Sequence, residues 1–148
     1  MNGFTTLSVD RILQMVETWA ETQPEIHAVA LVGSWARGQA KADSDIDLMF
    51  LTPNSQLFFL NPNYFGSFPW HKLSLKVIDY YDRTYGVVKS RHFCFSQGQK
   101  IEFSFGYTNW ADTNPIDAGT LAVASSGLKI IYDPDRLLTN LITTIRRG

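Results

Sequence analysis

Hydrophobic and polar positions near the start of the chain follow a helical period. Apolar residues recur every three or four positions, as on one face of an α-helix; they are Val9, Ile12, Leu13, Val16, Trp19 and Ala20. Ser8, with Asp10 close behind it, is typical of a helix start, and Pro24 cannot continue the helix. The pattern predicts an amphipathic helix that begins at Ser8, ends before Pro24 and covers a sheet.

Two nearly continuous apolar runs follow, Ile26–Val32 and Ile46–Leu51. Each is typical of a buried strand. Gly33 and Ser34 come directly after the first run and predict a tight turn that leads into a helix start. The polar segment 39–44 then predicts a surface loop before the second strand.

The second half of the chain predicts mainly strands. Leu73–Tyr81 alternates as a strand, and a hairpin is predicted from Val87–Phe95, a turn at Ser96–Gln99, and Lys100–Phe105. A final helix is predicted to open at Asp133. We therefore expect an α/β (α+β) fold with a small, mixed, largely antiparallel sheet flanked by helices, and a single domain over residues 1–148.

Composition restricts the classes of function. The 148 residues are 45% hydrophobic and 18% charged, with a formal net charge of −1, so a basic field for sequence-independent binding to nucleic acid is absent. The one cysteine, Cys94, excludes an internal disulfide and fits a reducing compartment. No apolar run approaches the ~20 residues that cross a bilayer. We expect a cytoplasmic protein with no membrane contact and no nucleic-acid partner.

The stretch from Gly33 to Asp47 carries the candidate chemistry. Gly33 allows close approach of the backbone, Ser34 adds a hydroxyl, and the free amides of the helix start point at an anion, which suits a phosphate. Asp45 and Asp47 lie two residues apart, so on a strand both carboxylates project from one face. That arrangement suits a divalent metal ion.

These residues carry a family resemblance. Gly33-Ser34, then Ala36-Arg37-Gly38, then Ser44-Asp45-Ile46-Asp47 closely resembles the signature of the DNA polymerase beta-like nucleotidyltransferases, which include aminoglycoside and lincosamide nucleotidyltransferases and minimal (MNT) domains. The resemblance implies that the Gly33-Ser34 turn binds the triphosphate of ATP or another nucleoside triphosphate. It also implies that Asp45, Asp47 and a third carboxylate bind two Mg²⁺ ions. Arg37 either contacts phosphate or ties down its loop.

Glu102 is our candidate for the third carboxylate. In its strand Ile101, Phe103 and Phe105 face one way, and a charged residue on the opposite side requires water or a cation. Asp79 is the alternative ligand, and a solvent-facing Glu102 is the alternative reading of its position. The family usually has aspartate here. Asp112 and Asp117 are weaker candidates for a general base, because aspartate is common in turns for local reasons.

The expected activity is transfer of a nucleoside monophosphate, AMP from ATP, to a hydroxyl of a small molecule such as an aminoglycoside or lincosamide. Two alternatives stay open: an antitoxin-like enzyme that modifies a partner protein, and a catalytically weak nucleotide-binding module. The acceptor pocket would be completed by a homodimer or a helical partner subunit, or formed by the aromatic segment Phe58–Trp70.

Overall fold

The computed structural model describes residues 4–54 and 68–148, apart from the side chains of residues 6 and 7. The helices are α1 Thr6–Glu21, α2 Gly33–Ala36, α3 Ala118–Ser126 and α4 Leu137–Arg147. The strands are β1 Ala28–Val32, β2 Ile46–Thr52, β3 Val77–Tyr85, β4 Val88–Phe95, β5 Lys100–Tyr107 and β6 Lys129–Tyr132. Two short 3-10 helices cover Trp70–Leu73 and Thr108–Ala111.

The strands form one six-stranded sheet in the order β3-β4-β5-β2-β1-β6. β2 and β5 are parallel neighbours in the centre, and the other neighbouring pairs are antiparallel. This arrangement confirms the predicted mixed, largely antiparallel sheet flanked by helices. The central parallel pair is the part that positions the candidate site, because it aligns the starts of two strands at one end of the sheet.

Alternation along β2 divides the core between the two faces of the sheet. Ile46, Leu48 and Phe50 are fully buried on the face covered by α1, where Trp19 packs edge-on against Phe50 at a centroid distance of 6.0 Å. On the other face, Leu138 and Leu141 of α4 are fully buried in a second cluster that includes Met49. All six predicted apolar positions of α1 are buried, so its predicted amphipathic face is confirmed.

The predicted start of α1 at Ser8 is wrong. The helix begins at Thr6, and Thr5 caps it by accepting a hydrogen bond from the Ser8 N–H at 3.1 Å. The Ser8 hydroxyl accepts the Thr5 N–H in return at 2.8 Å. Ser8 is therefore the third helical residue of a reciprocal capping arrangement, in which serine takes the position more usual for Glu or Gln.

The predicted strand Leu73–Tyr81 is displaced in the structure. Leu73 ends a 3-10 helix, Ser74 follows with a φ of 56°, and β3 runs from Val77 to Tyr85. An irregularity in the pairing with β4 between Val77 and Asp79 interrupts the alternation that predicted the faces. β3 extends beyond Tyr81 because it forms a hairpin with β4 around Gly86, whose φ is 62°.

The β4–β5 hairpin is present. The final helix is also present, but it begins at Leu137 and not at Asp133 as predicted. The Asp133 carboxylate instead lies just before the helix and accepts hydrogen bonds from the N–H groups of Leu138 and Thr139. Phe58–Phe65 lie outside the described residues, whereas Phe68 and Trp70 pack against Phe103 in the core. In the described part of the chain, every helix is too short or too polar to cross a bilayer.

Candidate nucleotide and metal site

The Gly33 turn connects β1 directly to α2. Gly33 has a φ of 75°, a backbone conformation that glycine adopts with little strain. A Cβ atom placed on it would overlap Asp47 Oδ2. Both the backbone angle and the neighbouring carboxylate therefore require glycine at this position. The single turn of α2 follows directly, and the first amides of a helix have no partners within it.

Five strands contribute one residue each to a row across the sheet. Val32 on β1 pairs with Asp47 on β2, Asp47 with Glu102 on β5, Glu102 with His92 on β4, and His92 with Tyr81 on β3. Residues that pair in this way lie on the same face of a sheet. The row brings the predicted aspartate and glutamate to adjacent positions on the central parallel strands.

Asp47 lies in a strongly negative surrounding. Its partial burial and then the charges of Glu102 and Asp45 raise its pKa to about 7, while the Arg37 guanidinium acts in the opposite direction. Desolvation and neighbouring negative charges disfavour the ionised carboxylate, and a neighbouring positive charge favours it. Without a cation, the pKa of Asp47 thus lies near neutral pH.

Each Glu102 carboxylate oxygen has a separate partner. The Ser104 hydroxyl donates to Oε1 at 3.2 Å, and the Ser104 and Ser90 hydroxyls lie 2.7 Å apart. His92 Nε2 lies 2.6 Å from Oε2. That contact does not have the alignment of a hydrogen bond, and neither ring nitrogen of His92 makes one within the described residues. We therefore treat it as an electrostatic contact.

The carboxylates open into a cleft of about 370 Å³. Its lining residues are Val32, Gly33, Arg37, Asp47, Glu102, Ala122, Val123 and Ser126. The last three belong to α3, which forms the wall opposite the strands. Gly127, at the end of α3, packs so closely on Arg37 that an added Cβ would lie 3.0 Å from Arg37 Cγ. The end of α3 is thus held against the loop that follows α2.

The predicted site residues fall into two groups. Gly33, Arg37, Asp47 and Glu102 line the cleft, Ser34 is the next residue of α2, and Asp45 acts on Asp47 through its charge. Asp79 lies away from them on the edge strand β3, two strands from β5, and its carboxylate accepts the N–H of Tyr80 at 2.8 Å.

The two candidate bases take local structural roles. Asp117 caps α3 by accepting the Thr120 N–H at 3.1 Å, and Asp112 is exposed at the end of a 3-10 helix.

Sequence reasoning missed His92, Ser104 and Tyr85 as neighbours of the site. Partial desolvation and the charge of Glu102 raise the pKa of Tyr85, which lies next to the hairpin turn at Gly86. Ser104 was detectable in principle, because the alternation of β5 places it on the same face as Glu102. His92 was not, because it lies opposite Glu102 only in the observed register of the hairpin.

The donor set fits a hard divalent cation in part. Carboxylate oxygens are the usual protein ligands of Mg²⁺. Burial and then the charges of Glu102 and Asp45 raise the pKa of Asp47, and a cation would favour its ionised form. Within residues 4–54 and 68–148, no three His, Cys, Asp or Glu side chains are gathered closely enough to hold a metal ion by themselves. Mg²⁺ commonly takes one or two carboxylates together with substrate phosphates and water, and Asp47 with Glu102 suits that mode.

Among solved structures, the chain is similar to one described as an aminoglycoside 6-adenyltransferase from Bacillus subtilis, with a TM-score of 0.48 and 16% sequence identity. The similarity covers 69% of this chain but only 36% of that enzyme. No curated protein sequence matches this chain.

One protein family matches by its sequence model. The family is described as Polymerase beta, Nucleotidyltransferase, and the match covers residues 14–76, which include Gly33, Ser34, Asp45 and Asp47 but end before Glu102. These are the residues that join β1, α2 and the start of β2 around the cleft. This part of the chain, less than half of its length, is similar to the polymerase beta nucleotidyltransferases.

Proposed function

We propose that this chain transfers a nucleoside monophosphate, AMP from ATP, to a hydroxyl of a small molecule such as an aminoglycoside or lincosamide, in a reaction that depends on Mg²⁺. The observation that carries the proposal is the pairing of Asp47 and Glu102 on neighbouring parallel strands, with Asp47 packed against the Gly33 turn. A phosphate-binding turn and two carboxylates in one cleft are the parts that nucleotidyl transfer needs.

Gly33, Ser34 and Arg37 would bind the triphosphate. The free amides at the start of α2 and the Ser34 hydroxyl donate hydrogen bonds to phosphate oxygens. Arg37 is exposed at the edge of the cleft, so its guanidinium can approach a phosphate without losing a buried partner. These groups would orient the α-phosphorus toward the carboxylates.

Asp45, Asp47 and Glu102 would hold Mg²⁺. When bound, Mg²⁺ neutralises the leaving pyrophosphate and lowers the pKa of the attacking hydroxyl. Asp47 would contribute most directly, because it packs against Gly33 and so would lie beside the phosphates. Glu102, on the next strand, lines the same cleft and would contribute to the metal ion that activates the acceptor hydroxyl.

A protein acceptor is the second candidate. On α3, Leu121 and Val123 have exposed fractions of 43% and 36%, and Val123 also lines the cleft. Apolar side chains exposed beside a catalytic cleft favour contact with a large acceptor, as in an enzyme that modifies a partner protein. A small cyclic molecule would use the same wall, so the acceptor has to be decided by experiment.

The decisive experiment measures pyrophosphate release. Purified protein is incubated with each nucleoside triphosphate and Mg²⁺, in the presence of aminoglycosides, lincosamides or co-expressed neighbouring proteins, with mass spectrometry of each acceptor. Release that requires both Mg²⁺ and an acceptor supports transfer, and the adduct mass identifies the acceptor class. Asp47→Asn should abolish the release, whereas Asp79→Asn, a matched change on the edge strand, should leave it intact. Nucleotide binding without release would instead indicate a catalytically weak binding module.

A further inference from the structure

We infer that His92 is a positioning residue that fixes the Glu102 carboxylate for nucleotidyl transfer; the inference rests on the proposed function. His92 lies on β4, directly opposite Glu102 on β5, with Nε2 at 2.6 Å from Oε2. The contact lacks the alignment of a hydrogen bond, but at this distance the ring edge and the carboxylate oxygen are packed against each other. The contact therefore restricts both the Glu102 side chain and the imidazole.

The surroundings of His92 favour this role over a purely structural one. The residue is 9% exposed, and its two ring nitrogens make no aligned hydrogen bond within the described residues. Leaving a buried polar group without such a bond costs on the order of 1–3 kcal/mol. A buried imidazole is expected to have a polar partner, and the polar group that contacts His92 is the Glu102 carboxylate.

Tyr81 fixes the plane of the His92 ring. The two rings stack with a centroid distance of 4.5 Å and an interplanar angle of 8°, and the residues pair directly between β3 and β4. Since the imidazole lies flat against the tyrosine, its rotation about the Cβ–Cγ bond is restricted. The stack thus fixes the plane of the ring, and the edge that carries Nε2 is the one that faces Glu102.

Ser104 restricts the same carboxylate from its other side. Its hydroxyl donates to Glu102 Oε1 at 3.2 Å and is itself buried against Ser90. Glu102 thus has a partner for each oxygen. A glutamate side chain has one more rotatable bond than the aspartate usual in this family, and two separate contacts compensate for that freedom. The pair of contacts explains how glutamate can serve where a shorter acid is usual.

The test compares two substitutions that differ in reach. In His92→Gln the amide nitrogen can occupy the place of Nε2, whereas in His92→Asn it reaches only the place of Nδ1. Kinetics of Mg²⁺-dependent pyrophosphate release give kcat and the KM for ATP, and titration with Mn²⁺ alone, followed by electron paramagnetic resonance, gives metal affinity without turnover. Thermal unfolding of each full chain checks the fold. His92→Phe, which keeps the stack on Tyr81 but has no nitrogen, replaces His92→Asn if that variant does not fold.

We expect His92→Asn to lower kcat and Mn²⁺ affinity by about 10- to 100-fold, with the KM for ATP changed by less than about threefold, and His92→Gln to restore most of both. In a Glu102→Gln background, His92→Asn should add no further loss of Mn²⁺ affinity. Equal effects of Gln and Asn, or full additivity with Glu102→Gln, would overturn the role of His92 while leaving the proposed function intact. A wild-type chain without Mg²⁺-dependent pyrophosphate release would overturn the proposed function itself.

Discussion

Asp47 Oδ2 occupies the space that a Cβ atom on Gly33 would need. The turn at Gly33 and the Asp47 carboxylate of the cleft are therefore packed closely together. Gly33 serves two purposes at once, because its φ of 75° makes the turn and its missing side chain admits the carboxylate. The sequence motif separates these residues by more than ten positions, and the antiparallel pairing of β1 with β2 brings them together.

Gly33→Ala should impair triphosphate binding more than Ser34→Ala. The alanine would displace Asp47 and strain the backbone by about 1 kcal/mol or more, whereas Ser34→Ala removes one hydroxyl and leaves the amides in place. Titration with ATP measures both affinities. Gly38→Ala is the matched control, because Gly38 has a similar φ of 70° but no atom within 4 Å of an added Cβ. A larger defect in Ser34→Ala would mean that the turn acts through the side chain.

Asp45→Asn and Asp47→Asn should each abolish transfer without unfolding the protein. Each change removes one charge from the metal-binding group while nearly preserving side-chain volume. Pyrophosphate release at saturating Mg²⁺ measures transfer, and thermal unfolding reports on the fold. Near-normal turnover in either variant would contradict the metal-binding role.

Ile46→Asn, between the two aspartates, should instead unfold the protein. Ile46 is fully buried on the α1 side of the sheet, and an amide there would have no hydrogen-bond partner. The expected cost is on the order of several kcal/mol, since a cavity adds to the unpaired amide. A soluble Ile46→Asn variant that melts normally would contradict the assignment of the two faces of β2.

The metal-free protein should lose stability relative to Asp47→Asn as the pH rises. The folded-state pKa of Asp47 is raised from 3.8 to about 7, so Asp47 makes its full contribution to the free energy of unfolding below pH 3.8 and loses it as the pH rises through 7. The resulting loss of unfolding free energy, relative to Asp47→Asn, approaches roughly 4 kcal/mol near pH 8. Urea unfolding of both proteins in EDTA, at about pH 5 and about pH 8, measures it. A difference that stays constant over this range would contradict the raised pKa, and added Mg²⁺ should reduce it.

The first third of the chain could be predicted because local signals and global structure agree there. The two apolar runs predict β1 and β2, and Gly33 predicts the turn between β1 and α2. The pairing of β1 with β2 then brings Gly33 close to Asp47. The predicted start of α1 at Ser8 is wrong because Ser8 is the third residue of the helix, and its side chain bonds back to the capping residue Thr5. Both Thr5 and Ser8 are favoured at helix starts, so residue type alone did not separate them.

The second half was harder because its pairing depends on turns and irregularities. The observed β3 begins later than the predicted strand, and the pairing irregularity between Val77 and Asp79 breaks the alternation of apolar and polar residues on which the prediction depends. His92 was missed for a related reason: a four-residue loop over 96–99 would place Phe93 opposite Glu102. The actual loop closes from Phe95 to Gln99, with Gly98 at a φ of 90°, and this register brings His92 to that position. One residue of loop length thus decides which side chain reaches the carboxylate.

Glu102→Gln should reduce transfer far more than it reduces ATP binding. The variant keeps the shape of the side chain but loses the charge proposed to help activate the acceptor, while Asp45 and Asp47 remain to accompany the triphosphate. Glu102→Asp should retain measurable activity, though less than wild type, because the shorter side chain cannot keep its contacts with both His92 and Ser104.

Parallel measurement of kcat and of ATP affinity in Asp79→Asn provides the control. Asp79 is exposed on the edge strand, where its carboxylate accepts only the N–H of Tyr80 among the hydrogen bonds of the described residues, so the change should alter neither quantity by more than about twofold. If Asp79→Asn lost transfer while Glu102→Gln stayed active, the third carboxylate would belong to β3. That result would contradict a catalytic role for the pairing of Glu102 with Asp47 on the parallel strands. It would also require a ligand from β3, which two strands separate from β2 in the sheet.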